Sequence, residues 1–188
     1  MADARIAVTG RPITGEELAT MPDVGPCELI DGRIVPMTPT GGEHGMVELN
    51  FGEALRAFAR AHGLGRVLVG EVGIFTQRNP DRVRAADVLF ISNAQYSRWG
   101  NVQGFLDVAP DLIVEILSPT DRSMDTMQKL REYFAIGVRL VWVADPEARI
   151  VYAYRSLTDV REFREGGDLT GDDVLPGFSV PVAELFAQ

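Results

Sequence analysis

The sequence predicts a mixed α/β fold, a central β-sheet flanked by helices, with a β-hairpin added on its N-terminal side. Three observations carry this reading. Short apolar runs rich in β-branched residues recur along the chain, and two longer stretches place apolar residues at helical spacing. Most connections between these runs are short, so the 188 residues read as one domain, 1–188.

Taken in order, residues 1–26 read as a peripheral N-terminal segment. Within it, "TGEEL" has the Thr-x-x-Glu spacing of a capping box, which predicts a short helix after Thr14. "CELIDGRIVPM" places two apolar runs around Asp31-Gly32, a two-residue hairpin signal. A helix follows from about Glu43 to His62, with Val47, Phe51, Leu55 and Phe58 on one stripe and Gly63 as its stop. Three strands are predicted at Arg66–Thr76, Ala85–Ser92 and Asp111–Ser118. The long loop Asn93–Pro110 separates the last two, and loops of that length are often functional or interfacial. A second helix spans about Asp121 to Ile136, with Met124, Met127, Leu130 and Phe134 on one side and Gly137 at its end. "RLVWVAD", "RIVYAYR" and "DVREFR" complete the strands, and "LPGFSVPVAELF" reads as a packed C-terminal segment.

Composition narrows the function classes. Apolar residues make up 46% and charged residues 24%, ordinary for a soluble globular chain. There is one cysteine, no basic-then-apolar leader and no run long enough to span a membrane, so a cytoplasmic protein is expected. The 18 Lys and Arg against 27 Asp and Glu give a net charge of −9, which argues against broad coating of nucleic acid. An enzyme gripping one short stretch of backbone in a locally basic groove stays compatible with it.

The chemistry-bearing residues are acids in apolar strands. Glu115 interrupts "LIVEIL", Asp87 precedes the run Val88–Ile91, and Glu28 sits in "CELI". An isolated buried carboxylate costs several kcal/mol or more, so each must be neutralised, paired or metal-bound. A structural ion pair of Glu115 with Arg139 or Arg84 is one solution. Three acids brought together at a sheet end would repel one another unless a cation held them, and a divalent metal with oxygen ligands, Mg²⁺ above all, is the other. On the following helix, Lys129 and Tyr133 share a flank one turn apart, and a long lysine stem can carry its ammonium towards the Glu115 strand. An exposed pair of Lys129 with Asp125 at i−4 is the alternative. His44, near a helix start, reads from its position as a capping or surface residue.

Together "ELIDGRIV", the His44 segment, "ADVLFI", "PDLIVEILSP", "DTMQKLREYFAIGVRLVWVADP" and "LPGFSVPVAELF" resemble the Uma family, bacterial proteins classed as putative restriction endonucleases within the PD-(D/E)XK nuclease superfamily. The resemblance runs from about Glu28 to Phe186 and implies a restriction-endonuclease-like core. It implies that Asp87 and Glu115 are the metal-binding acids, Glu28 an acid from the N-terminal element, and His44 a match to a histidine found at this point in the family. The resemblance also implies a DNA substrate and Mg²⁺, with Mn²⁺ as a substitute. Two departures stand out: Ala86 rather than Pro precedes Asp87, and Leu117 occupies the place where the D/E-x-K pattern has its lysine. In this family the lysine moves to the next helix, which maps onto Lys129.

The expectation is therefore a metal-dependent DNA endonuclease with Asp87, Glu115 and Lys129 as catalytic residues and Glu28, Asp87 and Glu115 as metal ligands. The alternatives are a catalytically silent interaction module that kept the fold, and a hydrolase of a small phosphorylated metabolite. A homodimer is expected through the loop around Trp99, Val102 and Phe105.

Overall fold

The structure, a computed structural model, describes residues 11–100, 102–118 and 123–188. Thr14 caps the first helix, α1 (Gly15–Thr20), in the capping box the sequence predicts: its hydroxyl accepts from Glu17 N–H while the Glu17 carboxylate accepts from Thr14 N–H. The hairpin of β1 (Cys27–Ile30) and β2 (Arg33–Pro36) turns at Asp31 and Gly32, whose φ values of 51° and 72° are the paired positive angles of a tight primed turn.

The hairpin extends the main sheet rather than standing apart from it. After α2 (Gly42–Ala61) come the long strands β3 (Gly65–Gln77) and β4 (Arg82–Ser92), paired antiparallel. β4 also pairs with β1 and with β5 (Leu112–Ile116). β6 (Leu140–Asp145) pairs parallel with β5, and the connection between them contains α4 (Ser123–Ile136). β7 (Ile150–Tyr154) and β8 (Val160–Arg164) complete the order β2-β1-β4-β5-β6-β7-β8, with β3 on β4. A two-stranded sheet, β9 (Asp168–Gly171) with β10 (Leu175–Pro181), and the short α5 (Val182–Leu185) form the C-terminal segment. No described helix is long and apolar enough to cross a membrane.

The run in "LIVEI" follows from β5 being covered on both faces, and all five of its residues are buried. Leu112, Val114 and Ile116 join Val47, Phe51 and Leu55 of α2 and Trp142 in one core cluster. Ile113 joins Leu89, Val141 and Val143 with Leu130 and Tyr133 of α4 in another. Glu115 belongs by alternation to the Ile113 side, so α4 is the element that meets it.

Two details differ from the sequence expectation. In α4 the expected stripe holds at Leu130, with Met127 and Phe134 packed against the core, but Met124 is 81% exposed, and the polar Glu132 is buried beside Tyr133. Polar partners on β4 and β5 meet this helix at Lys129, Glu132 and Tyr133, which an apolar stripe alone does not capture. The expected helix start at Asp121 lies outside the described residues. In the loop after β4, the short helix α3 (Asn93–Tyr96) is capped by Ser92. Phe105 packs against Phe75, and Trp99 against Tyr96, while Val102 is exposed.

Candidate active site

Register places the two central acids together. Val88 pairs with Val114 and Leu89 with Ile113, so one step further along both strands Asp87 comes opposite Glu115. Beside Asp87 the β3–β4 register shifts between Val69 and Val72, with Gly70 and Glu71 at φ 88° and 54°. Bulges of this kind bend a strand and re-aim its side chains.

Glu115 is buried and fully engaged. Its Oε2 accepts from Lys129 Nζ at 2.6 Å, and its Oε1 accepts from the Tyr133 hydroxyl at 2.6 Å. One helical turn separates the two donors, so a single face of α4 grips both oxygens. Burial pushes the Glu115 carboxyl up to about 7; Lys129 pulls against that rise, and the negative Asp87 adds to it. Burial also works against the Lys129 charge, but Glu115 and Glu28 outweigh it and hold the ammonium above the ordinary lysine range. Lys129 Nζ donates further to Ala85 O at 3.3 Å and lies 3.6 Å from Glu28 Oε1. Burial and Glu115 keep the Tyr133 hydroxyl protonated, hence a donor.

Asp87 Oδ2 accepts from Ile116 N–H at 2.7 Å and lies 3.5 Å from His44 Nε2. His44 is not a surface cap: it is buried in the first turn of α2, and its Nδ1 has no hydrogen-bond partner. The Asp87 hydrogen bond holds the His44 imidazole above its ordinary value, against the opposing effect of burial. Glu48, one turn along α2, accepts from Gly70 N–H of the bulge at 2.7 Å. Burial raises its carboxyl, and Asp87 raises it further.

Glu28 is held by other donors, with Oε1 accepting from Ala85 N–H at 3.1 Å and Oε2 from Arg84 at 2.7 Å. Neither arginine proposed as a structural partner of Glu115 takes that role. Arg84 serves Glu28 and Glu132, and Arg139 pairs with Asp173 at 2.6 Å. The structure thus gathers Glu115, Lys129, Asp87 and Glu28 into one cluster, and adds His44, Tyr133 and Glu48. Composition carries a signal for Lys129: it is the only lysine in the chain, every other strong base being arginine.

The donor set suits a hard divalent cation. Asp87 and Glu115 offer carboxylate oxygens side by side, where burial, with a smaller push from the Asp87 charge, lifts the Glu115 carboxyl towards neutrality, which a cation would reverse. Among the described residues no three His, Cys, Asp or Glu side chains form a complete cage. Two carboxylates with the remaining positions left to water and substrate oxygens is the manner in which Mg²⁺ is commonly held.

The sequence profile of the Uma2 family, described as "putative restriction endonuclease", matches residues 16–183. The fold is similar to the crystal structure of a putative nuclease belonging to DUF820 from Anabaena variabilis, with a TM-score of 0.74 at 21% identity, covering 93% of this chain and 98% of that one. Among curated proteins there is no match.

Proposed function

We propose, for a chain that belongs to the Uma2 family, that the Asp87–Glu115–Lys129 cluster hydrolyses phosphodiester bonds in DNA with the help of a divalent metal ion. The observation that carries this reading is the 2.6 Å contact between Lys129 and Glu115, made by the chain's only lysine. It supplies from a helix the cation that Leu117 does not supply from the strand.

Asp87 and Glu115 would hold the ion, Mg²⁺ or Mn²⁺, which when bound polarises a phosphate and lowers the pKa of water. The residues around them have separate tasks. Lys129, kept charged, is placed to offset negative charge that develops on the phosphate. Tyr133 fixes the second oxygen of Glu115 and favours its ionised form. Ile116 N–H and His44 orient Asp87. Glu28, expected as a third metal ligand, serves in this proposal as the anion that steadies Lys129, and would turn to a metal only on releasing Ala85 N–H. The net charge of −9 limits the contact with DNA to the neighbourhood of the site. Two copies would address two strands, and the exposed Val102 supports contact through the loop after β4.

A second reading, a silent module that keeps the fold, draws on Glu115 being satisfied by Lys129 and Tyr133 alone. Nicking of supercoiled plasmid with Mg²⁺ or Mn²⁺ separates the two. The nuclease reading expects cleavage by the wild type and at least a 100-fold loss in Glu115→Gln; equal rates in both remove Glu115 from the site, and no cleavage by either supports the module.

A further inference from the structure

A lysine carried by a helix must be held in place by whatever fixes that helix to the sheet. α4 is fixed by apolar contacts of Leu130 and Tyr133 in the core, with Met127, Phe134 and Ile136 packed against it, and by one buried polar residue, Glu132, while its first turn carries the exposed Met124. Glu132 is the unusual member of that set, a carboxylate only 7% exposed. It collects donors from three elements. Arg84 grips it through two nitrogens, Nε to Oε2 at 2.6 Å and an NH2 to Oε1 at 2.9 Å. Arg82 reaches Oε1 at 2.6 Å, Gln128 reaches Oε1 at 2.9 Å, and the Thr76 hydroxyl reaches Oε2 at 3.3 Å. The fork of an arginine on a carboxylate fixes orientation as well as distance.

Both arginines continue beyond Glu132. Arg82 and Arg84 stand two apart on β4 and so project from the same face. Arg82 also binds Asp31 at the hairpin turn at 2.6 Å, and Arg84 binds Glu28 Oε2 at 2.7 Å. The other oxygen of Glu28, Oε1, which accepts from Ala85 N–H, lies 3.6 Å from Lys129 Nζ. Lys129 is therefore tied to Arg84 by two routes, through three residues of helix to Glu132 and through the Glu28 carboxylate.

We propose that Glu132 and Arg84 are positioning residues: their forked contact sets the rotation of α4 and thereby places the Lys129 ammonium on Glu115. This rests on the nuclease reading for its catalytic consequence, though the placement itself is a property of the chain. Breaking the fork lets α4 roll, and a misplacement of about 1 Å costs up to about 100-fold in rate.

Because the chain has a single lysine, ¹⁵N-lysine labelling gives one side-chain ammonium signal, which reports the placement without any assay of cleavage. In the wild type at low temperature that signal is expected to be sharp and protected from solvent exchange. In Glu132→Gln and in Arg84→Gln, neither of which adds a lysine, it is expected to broaden or vanish, while circular dichroism shows both variants folded. Plasmid cleavage by these variants is expected to fall about 10- to 100-fold in kcat with KM changed by less than about twofold. A double variant, Arg84→Gln with Glu132→Gln, is expected to be little worse than either single change, since both break one contact. An unaltered ammonium signal in folded Glu132→Gln overturns the proposal whatever the cleavage result. A lost signal combined with a wild type that cleaves no DNA upholds the placement and removes the nuclease reading instead.

Discussion

Lys129 Nζ lies 2.6 Å from Glu115 Oε2, although the two residues are 14 positions apart and belong to a helix and a strand. The usual nuclease pattern has acid and lysine on one strand, two residues apart, where the pleat alone aligns them. Here the alignment depends on how α4 docks, so in the proposed reaction the residues that hold α4 would share in placing the lysine.

Tyr133 donates to the buried Glu115 and favours its charged form. Tyr133→Phe is expected to cost about 1.5–3 kcal/mol of stability, as for a hydrogen bond to a charged group. It also raises the Glu115 carboxyl beyond about 7, so the acidic limb of any pH–rate profile moves to higher pH. Urea unfolding and a cleavage profile between pH 5 and 9 check both; a limb that moves to lower pH contradicts the assignment.

A metal held by Asp87 and Glu115 stabilises the folded chain. At about 100 times its dissociation constant an ion adds about 2.7 kcal/mol, which for a chain of this size raises Tm by about 5–10 °C. Differential scanning fluorimetry with Mn²⁺ is expected to show that rise in the wild type and to lose it in Asp87→Asn and Glu115→Gln. A rise of equal size in all three places the ion elsewhere.

Glu132 links pH to stability in the acid range. Burial opposes its charge, but the hydrogen bonds from Arg84 and Gln128 and the charges of Arg84 and Arg82 hold the carboxyl below the ordinary glutamate value. A depressed folded pKa contributes stability that is present above the unfolded value, about 4.3, and is lost as pH falls through the folded one. Glu132→Gln is therefore expected to be clearly less stable than wild type at pH 7, and the gap should narrow below about pH 4. Thermal melts from pH 3 to 7 measure it; a gap that widens on acidification refutes the linkage.

His44 works with the opposite sign. Asp87 raises its imidazole, so its contribution is fully present below about 6.5 and is lost as pH rises through the higher folded value. With two histidines in the chain, proton NMR of the metal-free protein resolves both. His44 is expected to titrate above 6.5, and Asp87→Asn to bring it down; no change in that variant denies the contact.

Much of this architecture is legible in the sequence. Asp31-Gly32 announces the hairpin, the stripe Val47, Phe51 and Leu55 announces α2, and the apolar run around Glu115 announces a strand covered on both faces. These are local signals. β9 is harder to read, because Asp168–Gly171 is short and polar at its ends and gains its strand form from pairing with β10. The face of α4 is only half legible: Met127, Leu130 and Phe134 pack on the core as the apolar stripe says. The burial of Glu132 goes with Arg84, 48 positions away, and no helical periodicity encodes that contact. His44 likewise looks like a cap until α2 brings it to Asp87, on a strand far along the chain.

The most direct test of the central claim is to remove the one lysine. Wild type, Lys129→Ala and Lys129→Arg are compared in Mg²⁺-dependent plasmid nicking, with metal binding followed by calorimetry on the same samples. Lys129→Ala is expected to lose at least about 100-fold in cleavage while still binding the ion through Asp87 and Glu115, with Lys129→Arg intermediate. Cleavage by folded Lys129→Ala at the wild-type rate would contradict it, because the lysine drawn from α4 would then have no part in the reaction.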